Sequence, residues 1–444
     1  MINPEKVKSE KVKSVRIAAC DLNGQMRGKR LPGFEKKKFK DGSIRMPLSA
    51  LNVDIFGADI ENSPLVFETG DQDGLLKVTS RGAIPIPWLK NPTALVPVSM
   101  FTEDEEPFEG DPRYALKRII KSYESRGLRP IAATEMEFYL IDERKTSLLP
   151  PINPISGKRL STPDVLGISE LDCFDDFFSD LQNGCEQIGI TVQSITSESG
   201  CGQFEVTLKH CDALTASDDA WLFKILTKGL ARKHGIAATF MAKPYSKDAG
   251  NGMHIHFSIM DQNGRNIFNN NKSEGSEFLK SAVAGCLQYL RGSTLIFAPF
   301  GNSYKRFVKD AHAPISAQWG YENRTTAIRI PGGDLASKRI EHRVAGGDTN
   351  PYLVMTAVLG SALLGVQKKL TPIKPVVNNA YSNSAEKLAN NWEDAINYFG
   401  NDNGIKQIFS KQLIDNLIRT KRQELSEFKK IESSEHWKYY VSAI

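Results

Sequence analysis

The chain has 444 residues, with 57 basic against 52 acidic side chains, a net charge of +5, 40% hydrophobic and 25% charged residues. That length buries a sizeable core and points to two domains, and the composition excludes a fibrous, collagenous or disordered chain. The small basic excess sits largely in Lys-rich stretches, Lys6 to Lys13 and Lys36 to Lys40, with no interleaved aromatic residues, so a nucleic-acid partner is not expected.

In chain order, residues 14–32 read as a hairpin: Val15, Ile17 and Ala19 alternate into a strand and Asn23-Gly24 supplies the turn. Strand-like pieces follow at 50–57, 64–68 and 74–79, punctuated by Pro and Gly. The acidic, Pro- and Gly-bearing segment Thr102 to Pro112 marks a boundary, dividing the chain into domains 1–106 and 107–444. An amphipathic helix is expected from about Asp111 to Arg126, then a strand around Glu135 and a helix over 171–187. A hairpin around Glu198 and Glu205, a helix over 216–234, a strand at His254 and a helix over 275–291 come next. Arg- and Glu-bearing strands at 325–344, a helix over 351–368 and a polar helix near 404–430 complete the chain. The mixture predicts an α+β fold in which a curved, largely antiparallel sheet carries the site.

The N-terminal residues lack the apolar core of roughly 7–15 residues that a secretory signal carries. The longest apolar run, Tyr352 to Val366, falls short of the roughly 18 residues of a membrane span. The six cysteines (20, 173, 185, 201, 211, 286) never form a CxxC pair, which favours reduced thiols over zinc or iron–sulfur chemistry. A cytoplasmic protein with no membrane partner is expected.

Chemistry enters through alternation. Side chains at i and i+2 of a strand share a face, so Glu135 and Glu137 oppose Met136 and Phe138, and His254, His256 and Ser258 oppose Ile255 and Phe257. Two carboxylates on one buried face repel unless a cation stands between them; an exposed acidic face is the plain alternative. In Glu198-Ser-Gly-Cys-Gly-Gln-Phe-Glu205, Gly200 and Gly202 permit a tight reversal that brings both glutamates to one place. The Gly-rich loop from Asp248 to Met253 offers backbone N–H groups and close approach to a ligand. Arg306, Arg324, Arg329, Arg339 and Arg343 supply planar recognition of phosphates and carboxylates. Carboxylates, imidazoles and guanidiniums together imply a polyanionic substrate with Mg²⁺ or Mn²⁺. The chain carries neither GxxxxGK[ST] nor a strand-following GxGxxG, so no P-loop or Rossmann turn holds a nucleotide.

Thr-Glu135-Met-Glu137-Phe-Tyr, Glu198…Gly-Gln-Phe-Glu205, Gly-Asn-Gly-Met-His254-Ile-His256, Asn-Ser-Tyr-Lys-Arg306, Asn-Arg324-Thr, Ile-Arg329-Ile-Pro and Arg339-Ile-Glu341-His-Arg343, then Asn350-Pro-Tyr-Leu, resemble the glutamine synthetase family in that family's order. The resemblance runs from about residue 14 to the end. It implies a small N-terminal β-grasp domain, a catalytic α/β domain, and a dodecamer of two hexameric rings with active sites between neighbours. Carried over by position, Glu137, Glu198 and Glu205 would hold one metal ion, and Glu135, His254 and Glu341 a second. Arg306, Arg343 and the backbone at Gly250 would hold L-glutamate; His256, Ser258, Arg329 and Arg339 would hold ATP; Arg324 would steady the phosphoryl group.

The departures bear on the nucleophile. Where ammonia-using members carry a glutamate in the loop after Tyr-Lys-Arg, this chain has His312, and residues 161–170 hold no Tyr. Asp73 matches the second aspartate of the family's ammonium pocket, while the family's Asp-Gly-Ser-Ser loop reads here as residues 45–54, and the residue before Gly250 is Ala249. These features, with Val344-Ala-Gly-Gly-Asp348, resemble the γ-glutamylpolyamine synthetase branch: a glutamate–amine ligase acting on a polyamine or alkylamine, with ammonium-using glutamine synthetase as the other reading and a catalytically silent member as a third.

Overall fold

A computed structural model describes residues 12–33, 44–142 and 147–444. The Lys-rich stretches noted above lie almost wholly outside the described residues.

The alternation of Val15, Ile17 and Ala19 forms strand Ser14–Cys20, which turns through Asn23-Gly24 into Met26–Pro32. Its other edge pairs in parallel with Thr93–Phe101, a strand buried along nearly its whole length. Asp73–Val78 and Ile84–Pro85 pair antiparallel to that strand, and Arg45–Pro47 adds to Asp73–Val78, giving a six-stranded sheet of β-grasp type. The segments 50–57 and 64–68 are not strands. The first ends a 3-10 turn and bends back through Asp54, whose Oδ1 accepts the N–H groups of Phe56 and Ala58 at 3.0 and 2.8 Å; Pro64–Glu68 is a single helical turn. Side-chain-to-backbone bonds and a proline without an N–H compete here with ladder pairing. Thr93–Phe101 itself goes unannounced, because Pro97 sits mid-strand; its carbonyl still accepts the Thr79 N–H at 3.0 Å.

The second sheet has nine strands. The main path runs Trp319–Tyr321, Ile328–Ile330, Ile340–His342, Met253–Met260, Arg129–Ile141, Gln203–Leu208, Val192–Ser197, and Cys211–Asp212 and Ala237–Thr239 also pair with Arg129–Ile141. Among the described residues, only the pair Trp319–Tyr321 with Ile328–Ile330 is parallel in this sheet, so the expected curved, largely antiparallel sheet is present. Met136, Phe138 and Leu140 enter the core on one face, packed with helices Asp175–Ile188 and Ala213–Lys233.

The helices form close to where periodicity puts them. Pro112–Glu124 opens on Asp111, whose carboxylate accepts from Arg113 N and Tyr114 N at 2.7 and 3.3 Å, a cap worth about 1 kcal/mol. Glu277–Gln288 packs on Pro351–Gln367 so closely that a methyl on Gly285 would stand 2.7 Å from the Gly365 Cα. The helix expected over 171–187 breaks at Phe174, and that near 404–430 breaks at Phe409-Ser410, where Ser410 Oγ caps Lys411–Lys430 through Leu413 N at 3.1 Å. Asn350 caps the buried Pro351–Gln367 helix and also donates to the Asp21 carbonyl at 2.8 Å, tying that helix to the end of the first strand. Among the described residues, no helix is long and apolar enough to cross a membrane.

Candidate active site

Strand register assembles the site. Glu137 pairs with Glu205, Glu135 with His254, His256 with Glu341, and Glu341 with Arg329, so one row of charge crosses five adjacent strands. The neighbours in the same ladders, Met136 against Met253 and Val206, are wholly buried on the opposite face. Period-two alternation therefore sorts core from site with no further information.

Glu135 is the hub. Its Oε2 accepts from His254 Nδ1 at 3.0 Å and its Oε1 from His256 Nε2 at 2.9 Å. Burial opposes its charge, but the two imidazoles win and hold the carboxyl far below the usual range. If both rings donate to Glu135, His254 keeps a free Nε2 lone pair 4.0 Å from Glu137 Oε1, and the His256 Nδ1 lone pair accepts Arg339 Nε at 3.2 Å. Glu135, Glu205 and His254 offer three donor atoms within 4.8 Å of one another, and so do Glu135, His256 and Glu341.

Among the described residues, neither Glu198 nor Glu205 forms a salt bridge, though Arg324 and Arg343 lie within electrostatic reach. Burial and the neighbouring Glu137 push the Glu198 carboxyl up to about 7, against some relief from Arg324. Burial and the charges of Glu135, Glu137 and Glu198 push Glu205 up to about 9. Glu198 and Glu205, both raised beside further carboxylates, belong to a donor set matched to a divalent cation, so the residues fit the Mg²⁺ or Mn²⁺ that the resemblance implies.

Glu341 is held otherwise. Arg329 Nη1 donates to its Oε2 at 2.6 Å and Arg343 Nη1 to its Oε1, and Arg329 Nη2 reaches Glu322 at 3.1 Å. Burial opposes that charge too, yet Arg343 and the two histidines bring the carboxyl down to about 2. Arg329 and Arg343, read from the sequence as ligands of ATP and glutamate, are thus engaged by a residue read as a metal ligand.

Gly252 explains the Gly-rich loop. Its N–H donates to Glu137 Oε2 at 2.6 Å, and a methyl there would stand 2.8 Å from His254 Nε2 and 3.0 Å from Arg306 Nη2. Arg306 is buried and spends Nη1 on the Val344 carbonyl at 2.7 Å, while Gly250 packs against its Cγ. Gln203 and Asn251 brace the loop: Gln203 Nε2 donates to Gly250 O and Asn251 Oδ1 at 3.1 and 3.0 Å. Both stand inside quoted motifs and carry polar groups at buried positions, a signal available in the sequence but not used.

On the far side of Glu135 a cleft of about 680 Å³ is lined by Ala133, His256, Ser258, Ser337 and Arg339 among others. Ser258 Oγ donates there to the Lys338 carbonyl at 3.0 Å. Arg324 is exposed on a turn within electrostatic reach of Glu198. His312 is exposed on a bend with φ +54°. Asp73 is exposed on the six-stranded sheet beside Arg45, away from the row.

A buried sheet face carrying acidic donor triads, arginines and an adjoining cleft defines a metal- and phosphate-handling enzyme class. Residues 109–440 match the model of the glutamine synthetase catalytic domain. The chain is 35% identical over 428 residues to the γ-glutamylputrescine synthetase PuuA of Escherichia coli (strain K12), covering 94% of this chain and 89% of that protein. It is 31% identical over 438 residues to the glutamate–isopropylamine ligase of a Pseudomonas species, covering 95% and 93%. A solved structure titled apo GmaS without ligand superposes with a TM-score of 0.83 at 26% identity, covering 96% of this chain and 97% of that one. The chain belongs to the glutamine synthetase family, and it is an enzyme of that family's carbon–nitrogen ligase type.

Proposed function

We propose that the protein is a glutamate–amine ligase: it consumes ATP to join a polyamine or alkylamine to the γ-carboxylate of L-glutamate. The glutamate oxygen attacks the γ-phosphorus and ADP leaves; the amine nitrogen then attacks the acyl carbon, phosphate leaves and the nitrogen loses a proton. The observation that carries the reading is the row Glu205–Glu137, Glu135–His254, His256–Glu341–Arg329, with Glu205 in it and Glu198 beside it raised by burial and by the neighbouring carboxylates. When bound, Mg²⁺ or Mn²⁺ supplies neutralisation of the phosphate charge.

The residues of the chain do the rest. Glu137, Glu198 and Glu205 hold one cation, and Glu135, His254 and Glu341 a second; His256, which shares Glu135, orients that carboxylate. Arg306, Arg343 and the Gly250 backbone hold glutamate; His256, Ser258 and Arg339, which line the adjoining cleft, hold the nucleotide together with Arg329; Arg324 steadies the phosphoryl group. His312, in place of a carboxylate, serves as the proton acceptor for an amine whose own carbon chain supplies binding energy, about 0.8 kcal/mol per buried methylene. Two relatives named for alkylamine and diamine substrates support that choice.

The division near residue 106 follows the gap between strand Thr93–Phe101 and helix Pro112–Glu124. Asp73, remote from the row within one chain, reaches an active site from a neighbouring subunit of a ring in a dodecamer. Six free thiols suit a reducing cytoplasm.

The test is phosphate release from ATP and glutamate against ammonium, methylamine, isopropylamine, ethanolamine, putrescine and spermidine. One of the amines should outrun ammonium at equal concentration. Fastest turnover with ammonium makes the protein a glutamine synthetase, and no turnover with any nitrogen donor makes it a silent member.

A further inference from the structure

Segment 373–382, between helix Pro351–Gln367 and the helix at Trp392, has no place in the motifs above, yet it is bonded to both the Arg324 turn and the His312 loop. Trp319 Nε1 donates to the Ile373 carbonyl at 2.7 Å and Val376 N to the Trp319 carbonyl at 2.8 Å. Asn323 Nδ2 donates to the carbonyls of Val376 and Asn378 at 3.1 and 2.8 Å, and Thr325 Oγ1 accepts from Ala380 N at 2.9 Å. The turn carrying Arg324 is therefore stitched to this strap on both sides.

The tip of the strap then crosses to the His312 loop. Asn379 Nδ2 donates to Asp310 Oδ1 at 3.4 Å, and the Tyr381 hydroxyl donates to the Ala313 carbonyl at 2.9 Å. Between those two bonds, Asp310 and His312 both take the left-handed conformation, with φ of +63° and +54°. Residues other than glycine hold such a conformation only where their surroundings over-determine it. The half-buried Tyr381 lies within electrostatic reach of Arg306, Arg343 and Asp310.

We propose that Tyr381 is a positioning residue: its hydroxyl latches the His312 loop to a strap that holds the Arg324 turn at the same time. The proposal rests on the reading of the His312 loop as the side from which the amine approaches. The strap couples the two loops, so the phosphoryl-side and amine-side residues keep one spacing.

The test uses the full chain with Tyr381→Phe, which keeps the ring and removes only the donor, and Asn379→Ser, which frees the other end. Hydrogen exchange of peptides over 308–316, measured without substrates, should accelerate roughly tenfold in both variants while the nine-stranded sheet stays protected. In kinetics, KM for the best amine should rise about three- to tenfold in Tyr381→Phe, the worth of one net hydrogen bond, with KM for ATP unchanged. Unchanged exchange overturns the latch. Faster exchange with an unchanged amine KM makes the bond merely structural and also overturns it, as does a raised KM without faster exchange. A wild-type protein that prefers ammonium would sink the amine reading alone: the exchange arm stands without substrate, and the KM arm is then read on ammonium.

Discussion

Glu135, Glu137, Glu205, His254 and Glu341 stand on strands whose opposite faces are buried in the main core, whereas His312 and Arg324 stand on turns at the surface. A one-residue slip in the first region would exchange Met136 for Glu135 and Glu137 in the core, so register there is pinned by hydrophobic burial. No such penalty fixes the second region. Its geometry depends on a handful of side-chain bonds and on two residues in a costly backbone conformation. On the proposed function, phosphoryl chemistry is placed mainly on the ladder, and selection of the nucleophile on a loop that a few substitutions can reshape.

The sharpest break is in the row. Glu137→Ala removes a carboxylate that touches Gly252 N–H and adjoins His254, and should lower kcat by about a thousandfold, since a cation clamping the phosphates is worth several kcal/mol. The measurement is phosphate release at saturating Mn²⁺; activity within tenfold of wild type would remove Glu137 from the site.

Next come the arginines. Arg306→Ala or Arg343→Ala should raise KM for glutamate by roughly ten- to a hundredfold with ATP binding retained, the worth of charge-assisted hydrogen bonds to a carboxylate. Because Arg343 also grips Glu341, calorimetric Mn²⁺ affinity separates its two roles: a change in Arg343→Ala but not in Arg306→Ala is expected.

On the loop side a smaller effect is expected. His312→Glu restores an anion at an exposed position, where a charge pair is worth about 1 kcal/mol, so the ratio of kcat/KM for ammonium to that for the best amine should rise about fivefold. A ratio that falls would show that His312 does not face the nitrogen donor.

The smallest effect is on stability, and it belongs to the row again. In metal-free protein Glu198 and Glu205 titrate near 7 and 9, above the ordinary carboxylate value, so the folded state binds more protons than the unfolded one between about pH 5 and 8. Unfolding free energy then falls as pH rises through that window. Lys224, brought down to about 8 by burial, opposes the trend only near the top of the window, where the folded state begins to lose that proton. His342, brought down to about 3, opposes the trend only below about 6.5, where the unfolded ring charges. Tm of the metal-free protein should drop by a few degrees from pH 6.5 to 8, and saturating Mn²⁺ should flatten the slope. Parallel slopes with and without Mn²⁺ would dissociate these carboxyls from the cation.

Legibility in the sequence follows the same division. The strands around Glu135, Glu205 and His254 are readable because hydrophobic and ionisable residues alternate with the period of the backbone itself, and helices such as Pro112–Glu124 because Asp111, Pro112 and the apolar spacing act within a few residues. The segments 50–57 and 64–68 mislead because Asp54 and Pro64 redirect a strand-like composition through local hydrogen bonding. Thr93–Phe101 escapes notice because Pro97 argues against a strand, and only its central place in the first sheet outweighs that.

By itself, then, the order of residues determined which side chains share a face and which chemistry they can perform, since both depend on neighbours two to four positions away. Only the tertiary structure decided that Glu341 lies opposite His256 and between Arg329 and Arg343, that Gly252 must lack a side chain, and that Tyr381 reaches the His312 loop. Apart from Arg343, two residues from Glu341, and His254, two from Gly252, those contacts join residues 12 or more positions apart. They arise from packing of the whole core, and no local period in the chain encodes them.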